Sequence, residues 1–376
     1  MYKNYDYMTG EKKRIVMYVY NDITTDARVQ RAANALSVGY EVLLISNQKG
    51  KKVVDSNYMN IFVGGKRKGL LGIIESIWSA IKIIKSQNPD LVYCHDYYSS
   101  ILAFYLLKIH YSGKIVYDAH ELMIPEKGQK DRRLNFFYWF EKRIVKNVDL
   151  LICASKERGQ IMKEHYCLSA EPVVVPNISQ LQVNDDDKDV RSILHSLKDF
   201  FADTKPTVVY AGVVTNSRHI GELVDIAIDL HNWCKLLIVG NGDDLDALKA
   251  KAAAHPELIA AFTGAVPYKC LGSVLSRCDM GFLYYPINTL NNIYCASNKI
   301  YEYASVGLPM VANDNPTIKR LFGESQIGLS TSDLKSGILS ISSEIAWYKN
   351  NCLEFTLNNQ WTSEANLLLH KIKEIV

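Results

Sequence analysis

YCASNKIYEYASVGLPMVA, residues 294–312, is the stretch whose reading decides the fold. A polar loop carrying Lys299 opens a short helix with Glu302 in its first turns. Gly307 and Pro309 end that helix, and the apolar strand Pro309–Ala312 follows. Glycine just past a helix end takes the left-handed conformation, and a proline soon after cannot continue the helix. The helix start offers free backbone N–H groups and the positive end of the dipole, which suits a phosphate. Lys299 adds a charge there, and Glu302 is placed to accept hydrogen bonds from a sugar diol. Spacing alone serves an amphipathic helix packed on a sheet equally well.

Outward from this stretch, short β-branched runs alternate with helical patterns. The strands predicted in the first half are Arg14–Tyr20, Glu41–Ser46, Leu91–His95, Lys114–Asp118, Leu150–Ala154 and Pro172–Val175. Helix-like segments such as Ala27–Val38, Leu71–Lys85 and Leu134–Val145 lie between them. The pattern pauses after Val175-Pro176-Asn177 and resumes at Thr207–Gly212, Leu236–Val239, Ile259–Thr263, Met280–Leu283 and Met310–Ala312. Strands alternating with helices imply parallel sheets covered on both faces. The fold class is therefore α/β, with two consecutive parallel-sheet units. The expected division is 1–178, a polar connector at 179–205, and 206–354, with a final helix from about 355 to 376 returning to the first unit. The acidic run Asp185–Asp187 reads as solvated connector rather than a metal site. In two such sheets, ligands bind beyond the carboxyl ends of the strands, and a cleft between the units is the expected site.

The 376 residues, 48% apolar and 22% charged, fit an ordinary soluble protein of two domains. The polar N-terminus has no signal-peptide core, and the apolar stretch from Leu70 to Ile84 carries Glu75 and Lys82, so it is too short and interrupted to span a bilayer. The cytoplasm is the expected compartment. The eight cysteines include no Cys-x-x-Cys pair, which points to reduced buried thiols and no zinc cluster. Charge is uneven: residues 1–178 hold 26 Lys and Arg against 18 Asp and Glu, and residues 179–376 hold 17 against 22. A basic half suggests an anionic partner on one side.

Most candidate chemistry falls just after a predicted strand. Tyr117-Asp118-Ala119-His120-Glu121 places an imidazole between two carboxylates that can orient it, and His120 can take a proton or bond a substrate hydroxyl. Gly212, after the first strand of the second unit, permits close backbone approach. Arg218 presents a planar fork suited to a phosphate. Gly240 and Gly242 form a turn that resembles half of a dinucleotide fingerprint but lacks its third glycine. The loop Asn21–Arg28 has no glycine, which argues against a dehydrogenase-type site. Residues 127–146, KGQKDRRLNFFYWFEKRIVK, combine seven basic residues with an aromatic run and point either to helix packing or to an inner-leaflet membrane contact. No nucleic-acid recognition motif is present.

In this order, the segments resemble the family-4 retaining glycosyltransferases of the GT-B fold. The matching pieces are Asp26–Ala32 with Leu36, Gly39 and Val42, then Tyr117–Glu121, Val175–Asn177, Ala211-Gly212 with Arg218, Val239–Gly242, Phe262–Val266 and Asn298–Pro309. The last resembles the signature N-K-x-x-E-Y-x-x-x-G-x-P. The resemblance implies two Rossmann-like domains facing a central cleft. It implies an enzyme of the hexosyltransferase type that moves a sugar, with retention, from a UDP- or GDP-sugar to a saccharide or lipid-linked acceptor in cell-surface polysaccharide assembly. The catalytic set would be His120, Arg218, Lys299 and Glu302. Glu302 would bind the ribose, and Arg218 and Lys299 would neutralise the leaving diphosphate. Gly212, Gly240, Gly242, Gly264, Val266, Tyr294, Ala296, Ser297 and Asn298 would bind the donor, while Asp22, Thr24, Arg28 and Glu121 would lie on the acceptor side. Positive side chains would do a metal's work, so neither metal nor cofactor is implied.

One departure stands out. Many relatives carry a glutamate eight positions before Glu302, where this chain has Tyr294, and a phenol is no base at neutral pH. That residue keeps open a catalytically idle subunit that binds a nucleotide sugar. An epimerase could use the same two-domain frame. It would convert a nucleotide sugar without an acceptor, and the ordered motifs argue against it.

Overall fold

A computed structural model describes residues 12–24, 26–47, 56–64, 67, 69–126 and 131–376. They fall into two compact units, one ending at Pro176 and joined by Thr362–Val376, the other Asn177–Trp361. In the first unit the strands are β1 (Arg14–Tyr18), β2 (Glu41–Ser46), β3 (Met59–Phe62), β4 (Leu91–His95), β5 (Lys114–Ala119), β6 (Leu150–Cys153) and β7 (Val173–Val174). They form one sheet in the order β3-β2-β1-β4-β5-β6-β7, every pairing parallel. In the second unit β8 (Thr207–Ala211), β9 (Lys235–Val239), β10 (Ala260–Gly264), β11 (Met280–Leu283), β12 (Met310–Ala312) and β13 (Gly328–Ser330) pair in the order β10-β9-β8-β11-β12-β13, again all parallel.

Both orders reverse direction once, between β1 and β4 and between β8 and β11. At such a switch point the two neighbouring strand ends splay their loops apart and leave a crevice. The second sheet shows why its strands read as continuous apolar runs. Val208, Tyr210, Leu236, Ile238, Met280, Phe282 and Val311 bury one face. Val209, Ala211, Leu237, Val239, Leu283, Met310 and Ala312 bury the other. A period of two with both faces covered confines polar residues such as Thr207 and Lys235 to the strand ends.

The edge strands β3 and β13 escape the sequence pattern. Met59–Phe62 has no buried side chain, so it lacks the apolar signal of its neighbours. The stretch 179–205 is also not the free connector expected from its polarity. It forms the helices Lys188–Ser196 and Lys198–Ala202 within the second unit, with Val190, Leu197 and Phe200 buried. Its acidic residues are tied down as well: Asp187 caps a helix and pairs with Lys269 at 2.8 Å, as does Asp189, and Asp185 pairs with Arg277 at 2.8 Å.

The helix Arg132–Ile144 is anchored by an ionisable group in the core. Glu141 is 1% exposed and accepts from the Tyr117 and Tyr166 hydroxyls at 2.6 and 2.8 Å. Burial raises its carboxyl to about 7 despite those two donors. Between the ordinary glutamate value and that raised one, the folded chain holds a proton that the unfolded chain releases. Stability therefore falls as pH rises through this window and levels off above it. E141Q removes the slope: urea denaturation should show the variant gaining about 1–3 kcal/mol on the parent between pH 5 and pH 8. Parallel pH profiles for the two proteins would contradict this account of Glu141.

Candidate active site

Three loops at the carboxyl ends of β8, β9 and β10 run so close that they admit only glycine at the points of approach. Gly212 and Gly240 have φ of 149° and 144°. A Cβ on Gly240 would lie 1.8 Å from the Gly212 carbonyl oxygen, and one on Gly242 would lie 2.0 Å from that of Val214. The loops continue the sheet's ladder past the strands. Gly212 N–H donates to the Val239 carbonyl at 2.9 Å, Val214 N–H to Asn241 at 2.9 Å and Gly240 N–H to Gly264 at 2.8 Å. Asn241 also accepts from Ala265 N–H at 3.1 Å, which fixes the turn at Gly264. Val266, expected to line a base, is half-buried and packs partly against the core.

The helix Asn298–Ser305 meets this glycine cluster from the other side of the switch point. Its Tyr303 is fully buried and lies against Gly281 of β11, where a Cβ would be 2.3 Å from the ring. Beyond that gap the Tyr303 hydroxyl accepts from Ala211 N–H at 2.8 Å, at the last residue of β8. The helix start is thereby set against the Gly212 loop, and Lys299 occupies the place where Gly212 has no side chain, its Cε 2.7 Å from the would-be Cβ. Gly307, at φ +68°, ends the helix as its sequence position requires.

The N-cap residue of that helix, Ser297, does not cap it. Its hydroxyl accepts instead from Tyr285 at 2.6 Å, so the Ser297 side chain does not compete for the first N–H groups. Asn313 grips Tyr285 from β12's end, accepting from its N–H at 2.9 Å and donating to its carbonyl at 2.7 Å. Asn315 donates to the Asn292 carbonyl at 2.8 Å, and Ala296 accepts from Asn177 at 3.2 Å. The loop bearing Tyr294, Ala296 and Ser297 is thus held at several points. Tyr294 itself is half-buried and closes the short helix Leu290–Ile293, while Asn298 is exposed.

Arg218 comes from the opposite wall. Its guanidinium lies 4.4 Å from the centre of the Tyr285 ring and donates to the Tyr284 carbonyl at 3.3 Å. His219, in the left-handed conformation, stacks on Tyr284 at 3.9 Å. Both Arg218 and Lys299 act electrostatically on the buried hydroxyl of Tyr210, so the two cations face one region. Among the described residues no carboxylate pairs with either. Glu302 is almost buried, and one of its oxygens accepts from the Tyr268 hydroxyl at 3.0 Å.

The first unit assembles a different cluster, at the carboxyl ends of β4 and β5. Arg28 donates to both Asp118 oxygens, at 2.7 and 3.2 Å, and to the Val175 carbonyl at 2.7 Å. It was expected on the acceptor side, but its guanidinium is buried and taken up inside the unit. Tyr93 donates to Asp118 at 3.2 Å. His95 Nδ1 and His120 Nε2 lie 3.5 and 3.6 Å from the same Asp118 oxygen, and 3.3 Å from each other. Arg158 donates to the His120 carbonyl. Burial works against the Asp118 charge, yet Arg28 and the two histidines hold its carboxyl well below the usual range. Burial also disfavours a charged His120, but Asp118 outweighs it and raises the imidazole above its ordinary value. His95, fully buried and stacked on Tyr93, is lowered by burial. Asp96, beside them, is raised to about 6, chiefly by burial. Glu121 is exposed, and Asp22 and Thr24 satisfy one another, Asp22 accepting from Thr24 N–H and Oγ at 2.9 and 2.7 Å.

Among the described residues, His95, Asp118 and His120 form the group whose spacing suits a metal ion. The Arg28 fork and the Tyr93 hydroxyl already occupy Asp118, however, so this carboxylate is better matched to cationic side chains than to a metal.

Residues 29–178 match the family described as Glycosyltransferase Family 4. A search of curated proteins finds no match to the sequence. Among solved structures, sucrose-phosphate synthase from Thermosynechococcus elongatus aligns over 96% of this chain and 99% of its own, at 16% identity and a TM-score of 0.74. HepE from Anabaena, solved with UDP-glucose, aligns over 96% and 99%, at 12% identity and a TM-score of 0.72. WaaG, a glycosyltransferase involved in lipopolysaccharide biosynthesis, aligns over 94% and 98%, at 12% and 0.69. Family match and architecture agree: residues 29–178 match the family-4 model, and the two parallel-sheet units share the GT-B fold of these glycosyltransferase structures.

Removing Arg28 would leave the Asp118 carboxylate buried without its partner. R28A should therefore lose about 3–5 kcal/mol of stability at pH 7.5. In the parent, Asp118 contributes stability above the ordinary carboxylate range that is lost as pH falls through its depressed value, so the gap between the proteins should close in acid. Urea titrations at two pH values read this. Equal stability at pH 7.5 would show that Arg28 is not Asp118's compensating charge.

Proposed function

We propose that this enzyme moves a sugar from a UDP- or GDP-sugar to a saccharide or lipid-linked acceptor, with retention of anomeric configuration, in the assembly of cell-surface polysaccharide. The observation that carries the reading is the pair of cations Arg218 and Lys299, which pair with no carboxylate among the described residues, beside a glycine-lined turn and a helix start that Ser297 does not cap. When the sugar–phosphate bond breaks, charge grows on the departing diphosphate. Fixed cations and backbone N–H groups stabilise that charge more than they stabilise the bound donor, which is the condition for catalysis.

The second unit would thus hold the donor. HepE, of like fold, was solved with UDP-glucose, which supports a nucleotide sugar as the donor. Glu302, which accepts from the Tyr268 hydroxyl, would bind the ribose. His120, raised by Asp118, suits donation of a hydrogen bond to a sugar hydroxyl. The positive side chains take the place of a metal. A lipid-linked acceptor agrees with the basic first half and with peripheral attachment through residues 127–146 on the inner leaflet, of which 127–130 lie outside the described residues.

R218A and K299A should each lower transfer about 10²–10³-fold while melting within a degree or two of the parent. Full activity in either variant, assayed with the accepted donor and acceptor, would remove the leaving-group role.

A further inference from the structure

Three helices of the first unit carry an outward face that the fold leaves uncovered. On Gly69–Gln87, the residues Leu71, Ile74, Trp78, Lys82 and Lys85 are exposed at helical spacing, while Ile73, Ile77, Ile81 and Ile84 are buried. On Arg132–Ile144 the exposed stripe is Arg132, Phe136, Trp139 and Arg143, with Phe137, Glu141 and Ile144 buried opposite. The helix Ser100–Lys108 joins the two: Tyr105 lies 6.4 Å from the Trp78 ring, and Phe104 lies 5.4 Å from that of Trp139. Trp78 is 56% exposed and Leu71 is 57%. Large side chains held this open, in a continuous row, are unusual on a soluble surface.

The charges run with the row. Lys82, Lys85, Lys108, Arg132, Arg133, Lys142 and Arg143 lie on these helices. The acids are Glu141, which is buried, and Glu75, which is half-buried; Asp131 caps the third helix. The Arg143 guanidinium sits 3.5 Å from the centre of the Trp139 ring, and Lys108 sits 5.5 Å from that of Phe104. Aromatic rings interleaved with long cationic side chains match the boundary between acyl chains and anionic head groups. Among the described residues no helix is long and apolar enough to cross a membrane, so contact through this face would be peripheral.

We propose that this three-helix face, with Trp78 and Trp139 as its anchors, docks the enzyme on an anionic lipid bilayer. The proposal rests on the membrane contact suggested above for residues 127–146 and extends it to Leu71–Lys85 and the bridging helix. Lipid attraction amounts to about fivefold in affinity per basic residue at the surface, so the cations supply the preference for anionic lipid. The rings supply binding that survives salt.

The test is sedimentation of the full chain with vesicles of phosphatidylcholine alone or with one-third phosphatidylglycerol, at low and high salt. Binding should be at least tenfold tighter to the anionic vesicles and should weaken with salt. W78E/W139E and, as a second variant that spares the apolar row, K82E/R143E should each lose at least tenfold. Both should keep the parent melting temperature and its transfer to a soluble saccharide. That soluble assay separates failure of this face from failure of the transferase reading. Equal binding to neutral and anionic vesicles, parent-like binding by both variants, or a parent that dimerises through this face and ignores vesicles would overturn the proposal.

Discussion

The second unit depends on one hydrogen bond made across a missing side chain. Gly281 leaves β11 open, Tyr303 passes through that gap, and its hydroxyl meets the last free N–H of β8 at Ala211. A buried N–H without a partner costs roughly 1–3 kcal/mol, so the tyrosine satisfies a need of the strand as well as locking a helix. Because the helix start is fixed this way, Lys299 arrives over Gly212 and the uncapped N–H groups arrive beside it. Tyr285 and Asn313 then hold the adjoining loop, and Arg218 rests on the Tyr285 ring. The elements around Lys299 and Arg218 are therefore positioned by neighbours that are themselves buried, Tyr303, Tyr285 and Asn313.

The first unit solves a different problem. It buries a carboxylate, Asp118, beneath two histidines, and a buried charge needs a partner of excellent geometry. Arg28 meets it with two bonds and ties the helix Ala27–Leu36 to the sheet in the same act. The result is an imidazole at His120 biased toward its charged form and held by both side-chain and backbone contacts. Arg28 thus acts on His120 through Asp118, from inside the unit rather than at its surface.

Much of this architecture was legible in the sequence, and the exceptions have physical reasons. Glu41–Ser46, Leu91–His95, Met280–Leu283 and Met310–Ala312 fall where the apolar runs placed them, since strands buried on both faces carry an uninterrupted signal. The edge strand Met59–Phe62 carries no such signal, and the connector 179–205 hid two helices behind its surface charges. The glycines at 212, 240 and 242, Lys299 and His120 could be picked out from the sequence because each follows or adjoins a predicted strand end or helix start. Tyr303, Tyr285, Asn313, Asn315, Asn241, His95 and Arg158 were not singled out, because their partners are distant in sequence. Asn313 and Asn315 directly follow a predicted strand, a position that could have drawn notice. The buried pairing of Arg28 was not legible, because sequence cannot tell a surface arginine from one facing a buried aspartate 90 positions away.

The central claim is that Arg218, Lys299 and a helix start bind a nucleoside diphosphate without a metal. Calorimetric titration of the full chain with UDP and GDP, first in EDTA and then with magnesium, tests it most directly. The account predicts saturable binding of one of them in EDTA, weakening as ionic strength rises because fixed charge carries it. Binding that appears only with magnesium, or no binding of either nucleotide, would contradict it.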